Sequence, residues 1–314
     1  MTRAVVFAYH QVGVRCLATL LAHGIEVALV VTHEDQAGEN IWFDSVADLA
    51  ARYAIPSITP DDPNSAELSA QIAALQPDFL FSFYYRKMLK PELLTLAKKG
   101  AYNLHGSLLP KYRGRVPINW ALVHGETITG ATLHAMLSKP DAGPIVSSSS
   151  VPILPDDTAF EVFNKLTVAA EIALDSALPD LLAGRAEHHA QDLTQGSYFG
   201  GRTPEDGRID WAQSGAQIHN LIRAVAPPYP GAFFELSGTR FVVLRSLRQT
   251  QRVPRSKEAG IYCAPNAQGV AAYYVDCADQ SVLQLLGLAE QGRTIAVTEF
   301  ITRFGTHKIP LKLA

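Results

Sequence analysis

The sequence predicts an α/β fold: a doubly wound, mostly parallel sheet followed by a smaller, mostly β C-terminal domain. Three observations carry this. A strand–helix–strand unit is complete within about 30 residues of the start. The same alternation continues to about residue 104. Beyond residue 208 the pattern becomes short strand-like runs separated by turn residues. On this reading residues 1–190 form the first domain and residues 205–314 the second.

The elements follow in order. Residues 4–9 (AVVFAY) are a short apolar, β-branched run, and a helical pattern through Leu17, Leu20 and Leu21 stops at Gly24. Residues 25–32 (IEVALVVT) read as a buried strand. Helices around 43–53 and 65–75 precede strands near 56–59 and 78–83, and a helix at 91–97 precedes a strand at 101–104. After Gly114, Pro117 opens a short helix in the first-turn position that proline tolerates. Residues 132–137 and 145–153 read as two strands around a turn at 139–143. A long helix runs from about 158 to 182, with Asp156 and Asp157 placed to cap its exposed N–H groups. Residues 184–208 lack periodicity and read as a connector, and runs such as 241–244 and 269–274 begin the β domain.

Composition narrows the classes of function. The 314 residues are 47% hydrophobic and 18% charged, a globular profile long enough for a large core and a smaller second one. A net charge of −3 gives no general attraction to nucleic acid. Cys16, Cys263 and Cys277 are scattered without a CxxC pair, which argues against a disulfide framework or a thiolate zinc site and fits a reducing compartment. The apolar run at 4–8 is too short for a signal segment, and no stretch reaches the ~20 apolar residues of a membrane span. The expected location is cytoplasmic. His188 and His189 cannot share a face, and His23, His33, His124 and His134 show no ligand spacing, so no metal is expected. Gly13 alone stands where a dinucleotide fingerprint needs G-x-G-x-x-G, which disfavours an NAD enzyme.

The most informative stretch is 102–117, YNLHGSLLPKYRGRVP. Residues i and i+2 of a strand share a face, so Asn103 and His105 project together at the carboxyl end of a strand, where open α/β sheets place their crevices. An amide donor beside an imidazole suits acyl transfer: the amide holds an oxyanion while the imidazole moves a proton. Lys111, Arg113 and Arg115 could bind a phosphate or carboxylate, or form a solvated loop. Asp141, in KPDAG, taken alone is good turn chemistry.

NLHGSLLPKYRGRVPINWALVHGE followed by TGATLHAMLSKPDAGPIV resembles the signature region of the folate-dependent formyltransferases. That family includes methionyl-tRNA, glycinamide ribonucleotide and amino-sugar N-formyltransferases. The resemblance runs to about residue 235 and is densest at 101–146. It implies a Rossmann-like formyltransferase fold, with 10-formyltetrahydrofolate as cosubstrate and no metal. It also implies Asn103, His105 and Asp141 as catalytic residues. A carboxylate near the imidazole would fix its orientation and raise its pKa. The folate-binding positions implied are Lys87, Met88, Leu89, Arg115, Leu137, Ser138, Lys139, Pro140 and Asp141.

The acceptor amine is a further question. Methionyl-tRNA enzymes carry a basic loop after the second strand. Here that loop is THEDQAGENIWFDS, and no Lys or Arg occurs between Arg15 and Arg52. Phosphate neutralisation supplies most nucleic-acid affinity, so no nucleic-acid partner is expected. VVFAYHQVG, VVTHEDQAGEN, FSFYYRKML, NLHGSLLPKYRGR and FGGRTPEDGRIDW resemble the sugar-nucleotide branch. Within it they are similar to the formyltransferase domain of the bifunctional polymyxin-resistance enzyme that formylates UDP-4-amino-4-deoxy-L-arabinose. His-Gly-Ser at 105–107 is a shared detail. The resemblance then implies formylation of that sugar's 4-amine for lipid A modification, with Ser107, Arg202 and Tyr229 as substrate-binding residues. The alternatives are methionyl-tRNA, a dTDP-linked amino sugar, or a non-catalytic folate- or nucleotide-binding module. Residues past about 259 match weakly. Whether the chain acts alone or within a bifunctional enzyme stays open, as does a homo-oligomeric state.

Overall fold

The structure is a computed structural model that describes residues 1–36 and 38–311. In chain order the first half holds β1 (Arg3–Ala8), α1 (His10–Ala22), β2 (Glu26–Val31), α2 (Val46–Arg52), β3 (Ser57–Ile58), α3 (Ala66–Leu75), β4 (Phe79–Phe83), α4 (Pro91–Leu94), β5 (Ala101–His105), β6 (Arg113–Gly114), α5 (Pro117–Val123), β7 (Ile128–Ala135), β8 (Ile145–Pro152) and α6 (Ala159–Leu182). There follow β9 (Tyr198–Phe199), α7 (Gly215–Val225), β10 (Ala232–Leu236), β11 (Thr239–Gln249), β12 (Gly260–Pro265), β13 (Ala271–Asp276), β14 (Val282–Glu290), β15 (Arg293–Ile295), α8 (Val297–Phe304) and β16 (Ile309–Pro310).

The chain packs as two units. The first comprises Met1–Pro117, Ile128–Pro152 and Phe163–Gly200; the second comprises Ile118–Thr127, Ile153–Val162 and the chain from Gly201 onward. The units are not consecutive in sequence: 118–127 and 153–162 fall within the stretch read above as the first domain, yet pack with the second unit. Buried polar pairs hold them there. Asn119 Nδ2 donates to the Ala224 carbonyl at 2.6 Å, His219 bonds the Pro155 carbonyl at 3.0 Å, and Arg223 donates to the carbonyls of Leu154 and Asp157. Each satisfies a carbonyl that would be costly to bury alone.

The first unit is the doubly wound sheet that the alternation predicts. Its strand order is β3-β2-β1-β4-β5-β7-β8. β3, β2, β1, β4 and β5 pair in parallel, while β7 and β8 run antiparallel. β1 and β4 are central and buried on both faces, so both read as near-continuous apolar runs. The strand order reverses between β1 and β4, which makes the carboxyl ends of β1, β4 and β5 the crevice of the sheet. One core cluster joins Val5, Phe7 and Leu80 to Leu68 and Ile72 of α3 and to Leu89 and Leu93, with Met136 packed against it.

Two details differ from the sequence reading. The strand expected at 132–137 spans Ile128–Ala135, because residues 137–141 leave the ladder to form a turn. The 184–208 connector contains β9, which pairs in parallel with β6; two-residue strands carry no periodicity to read. Near the start of α6, Asp157 accepts from Leu154 N at 2.7 Å, and Glu161 accepts from the Thr158 N–H and hydroxyl.

The second unit is antiparallel, in the order β10-β11-β14-β13-β12-β16, with β15 on β14. Phe241, Tyr262, Tyr274 and Phe300 are among its fully buried side chains. α7 opens on a capping box between Ser214 and Gln217. Among the described residues no helix is long and apolar enough to cross a membrane.

Candidate active site

β5 ends at His105, and the antiparallel β7 lies beside it with Asn103 opposite His134 and His105 opposite Thr132. The 136–144 segment leaves β7 and folds back so that the Asp141 carboxylate reaches both β5 and β6. Asp141 Oδ1 lies 3.5 Å from His105 Nδ1 and 3.7 Å from His134 Nε2, and Oδ2 accepts from Gly114 N at 2.9 Å. Asn103, His105 and Asp141 are therefore assembled at one place, with His134 as a fourth member.

Several bonds hold the frame rigid. Thr132 Oγ1 donates to the Ser107 carbonyl at 2.7 Å and accepts from Leu109 N at 3.1 Å, which pins the loop after β5. Gln191 Nε2 donates to the carbonyls of Asp141 and Gly143. β9 fixes Gly114, whose N–H aims at Asp141. Gly114 sits at φ +96°, and a Cβ there would overlap the Phe199 carbonyl, so only glycine fits. Gly106 lies so close to the Tyr84 hydroxyl that a Cβ would overlap it, a physical reason for His-Gly-Ser in this chain.

The protonation pattern can be read from the acceptors. His105 Nε2 meets the Tyr112 carbonyl at 2.8 Å, and a carbonyl only accepts, so Nε2 carries the proton. Nδ1 is then the basic nitrogen and faces Asp141. Burial pushes the His105 pKa down, against the Asp141 charge and the Tyr112 carbonyl, which pull it up; the net direction is down. The expectation of a raised pKa thus fails, because the imidazole is 7% exposed and desolvation outweighs the carboxylate. Burial also pushes the Asp141 carboxyl up, but His105, His134 and the Gly114 N–H outweigh it and bring it to about 2. The dyad rests as neutral imidazole beside carboxylate, a base with its counterion in place.

The other expected residues divide. Met88 and Leu137 are 58% and 51% exposed, and Leu89 sits in the cluster against which Met136 packs, so the 87–89 and 136–141 segments share one side of the sheet. Lys87 donates to the carbonyls of Pro60 and Asp61. Ser138, Lys139 and Arg115 are exposed and Pro140 is half-buried. Lys87 with Met88, and Leu137 with Lys139, thus put exposed apolar and cationic side chains in the same short segments, a combination that suits a planar, carboxylated ligand. Within the 111–115 cluster Arg113 is buried while Lys111 and Arg115 are exposed, so the three cations do not form one patch. Ser107 is buried and donates to the Lys111 carbonyl at 2.6 Å, bracing the loop. Arg202 and Tyr229 belong to the second unit. Arg202 lies 4.7 Å from the Trp120 ring centroid and donates to the Asp206 carbonyl; burial raises the Tyr229 hydroxyl to about 12.

Two histidines have no role in the sequence reading. His134 has no spacing signal, and only its cross-strand register with Asn103 reveals it. His10, the first residue of α1, holds φ +67° at the carboxyl end of β1. Its ring lies 3.7 Å from Phe43, 4.6 Å from Phe163 and 4.7 Å from Trp42, centroid to centroid. Burial, then Arg86, lowers its pKa from 6.5 to about 3. Below pH 6.5 the unfolded chain takes up a proton that the folded chain refuses until about pH 3, so stability from neutral His10 is lost as pH falls through that window. Thermal unfolding should therefore fall more steeply with acid in the wild type than in His10→Asn, whose side chain tolerates the same backbone. Equal slopes would remove His10 as a cause.

Residues 4–178 match the family described as "Formyl transferase", and residues 202–305 match "Formyl transferase, C-terminal domain". Among solved structures of similar fold is an N-formyltransferase from Helicobacter canadensis in complex with folinic acid and dTDP-3-aminofucose. It has a TM-score of 0.71 and 19% identity, over 91% of this chain and 99% of that one. WlaRD, a sugar 3N-formyltransferase determined in the presence of dTDP and 5-N-formyl-THF, has a TM-score of 0.67 and 17% identity, over 93% and 99%. HypX from Aquifex aeolicus in complex with tetrahydrofolic acid has a TM-score of 0.63 and 17% identity, over 96% of this chain and 47% of HypX.

Proposed function

The chain belongs to the formyl transferase family, and on that premise we propose that it transfers the formyl group of 10-formyltetrahydrofolate to the 4-amine of UDP-4-amino-4-deoxy-L-arabinose. The observation that carries the reaction type is the convergence of Asn103, His105 and Asp141 on one strand end, with a neutral imidazole and a carboxylate in contact. The amine nitrogen attacks the formyl carbon, and the formyl oxygen takes the developing negative charge and accepts from Asn103 Nδ2. The amine proton passes to His105 Nδ1, where Asp141 stabilises the imidazolium. Collapse breaks the bond from the formyl carbon to N10; the proton returns to N10, giving the formamide and tetrahydrofolate. Lys87–Leu89, Arg115 and residues 137–141 hold the folate in this reading.

Support for a nucleotide-linked amino sugar comes from the loop after β2. Its charged groups are all acidic: Glu39 pairs with Arg86, Asp35 accepts from the Tyr9 hydroxyl at 2.6 Å, and Glu34 accepts from Thr59 at 3.1 Å. An acidic loop repels an acceptor stem. The dTDP and dTDP-aminofucose complexes of similarly folded enzymes favour a dTDP-linked amino sugar as a second reading. Ser107, Arg202 and Tyr229 are assigned to the acceptor, Arg202 to its diphosphate and Tyr229 to its base; cytoplasmic location and lipid A modification go with the UDP-sugar reading.

The test mixes the protein with 10-formyltetrahydrofolate and each acceptor in turn, reading products by mass spectrometry across a salt series. The expected result is formylation of the UDP-amino-arabinose with shallow salt dependence, none of methionyl-tRNA, and an acceptor KM raised about tenfold or more in Arg202→Ala. A preference for the dTDP-linked amine selects the second reading, and efficient, salt-sensitive tRNA turnover overturns both.

A further inference from the structure

His134 is only 2% exposed and lies directly across the ladder from Asn103. Its two ring nitrogens face different partners. Nδ1 is 2.9 Å from the Ala135 carbonyl oxygen, an acceptor only, so Nδ1 must carry a hydrogen. In the neutral ring Nε2 is then a bare lone pair; it lies 3.1 Å from Asn103 Nδ2, while Asp141 Oδ1, at 3.7 Å, is beyond hydrogen-bond distance from it. The Asn103 amide must therefore turn its NH₂ toward His134; the flipped amide would set a carbonyl lone pair against the imidazole lone pair. An amide is planar, so once one N–H is held the direction of the other is fixed as well.

We propose that His134 is a positioning residue for the transfer: its Nε2 holds one N–H of Asn103 and thereby aims the second N–H at the formyl oxygen. The inference rests on the reading of Asn103 as the oxyanion donor. It adds an orienting group in advance of the reaction, because an amide free to rotate would have to be reordered each time charge develops. It also gives the antiparallel β7 a function, since only the Asn103–His134 register brings the two side chains together. The His134 ring touches neither reacting atom in this scheme.

Two measurements on the full chain test it. The first is the ¹⁵N spectrum of the histidine rings, with His134→Gln used to assign the signal. The expected tautomer is Nδ1–H with Nε2 unprotonated, and a neutral ring protonated at Nε2 overturns the inference whatever the activity. The second compares His134→Met, which keeps the volume and removes the acceptor, with His134→Gln, whose Oε1 can accept. In folded His134→Met, kcat falls about 10- to 100-fold, the scale of leaving one hydrogen-bonding group misaligned, while both KM values change little. His134→Gln recovers most of the loss. Wild-type kcat in His134→Met, or Gln as impaired as Met in equally stable proteins, overturns the positioning role. If His134→Met does not fold, the ring spectrum decides. Failure here is separable from failure of the active-site reading: full turnover in Asn103→Ala would sink that reading, whereas a disabled Asn103→Ala beside an unaffected His134→Met sinks only this inference.

Discussion

Replacing His105 or Asn103 with alanine should lower formyl-transfer turnover by about 10²–10⁴-fold, the range for loss of a general base or an oxyanion donor. The two losses have different origins. Without His105 the amine nitrogen loses the base that faces Asp141; among the described residues the other imidazole beside Asp141 is His134, whose Nε2 lies 3.1 Å from Asn103 Nδ2. Without Asn103 the base remains and the charge on the formyl oxygen goes unsatisfied. Folate binding should survive both, because the backbones of the 87–89 and 137–141 segments keep their own supports, Asn64 donating to the Met88 carbonyl and Gln191 to the Asp141 carbonyl. Single-turnover rates with 10-formyltetrahydrofolate and the amino sugar, beside folate titrations, measure both quantities. Near-normal turnover in His105→Ala would remove it as the base.

Asp141→Asn should be nearly as damaging, by about 10²-fold or more, with little loss of fold. The amide can still accept from Gly114 N, so the turn keeps its anchor. What disappears is the charge 3.5 Å from His105 Nδ1. Burial already lowers the His105 pKa, and Asp141 opposes that push, so removing the charge lowers it further. A base is active only when unprotonated. Hence the acid limb of kcat/KM should move to lower pH in Asp141→Asn while the plateau drops. A limb that moved upward, or a plateau left intact, would mean that Asp141 is only a turn residue.

Pattern alone predicted the architecture of the first unit. β1 and β4 are apolar runs because both faces of a central parallel strand are covered, and the helices expected around 43–53 and 65–75 form at Val46–Arg52 and Ala66–Leu75, capped by Ser45 and Ser65. Strand geometry puts Asn103 and His105 on one face, but an isolated N-x-H is as readily a core histidine, so their catalytic reading came with the family resemblance. Asp141 needed the family resemblance, since Pro-Asp-Ala-Gly is equally good as a plain turn. The net direction of the His105 pKa was not legible: the sequence names the carboxylate but not the depth of burial that outweighs it.

What the sequence determined by itself is therefore the set of local periods, the strand-end pair and the charge of the β2 loop, all properties of neighbouring residues. Tertiary structure decided the rest. The register of β7 on β5 put His134 against Asn103, two residues 31 positions apart. β9, two residues long, became the brace for Gly114. Segments 118–127 and 153–162 joined the second unit through carbonyls taken by Asn119, His219 and Arg223. Each depends on which polar groups are buried together, and a one-dimensional pattern carries no record of that until the chain has closed.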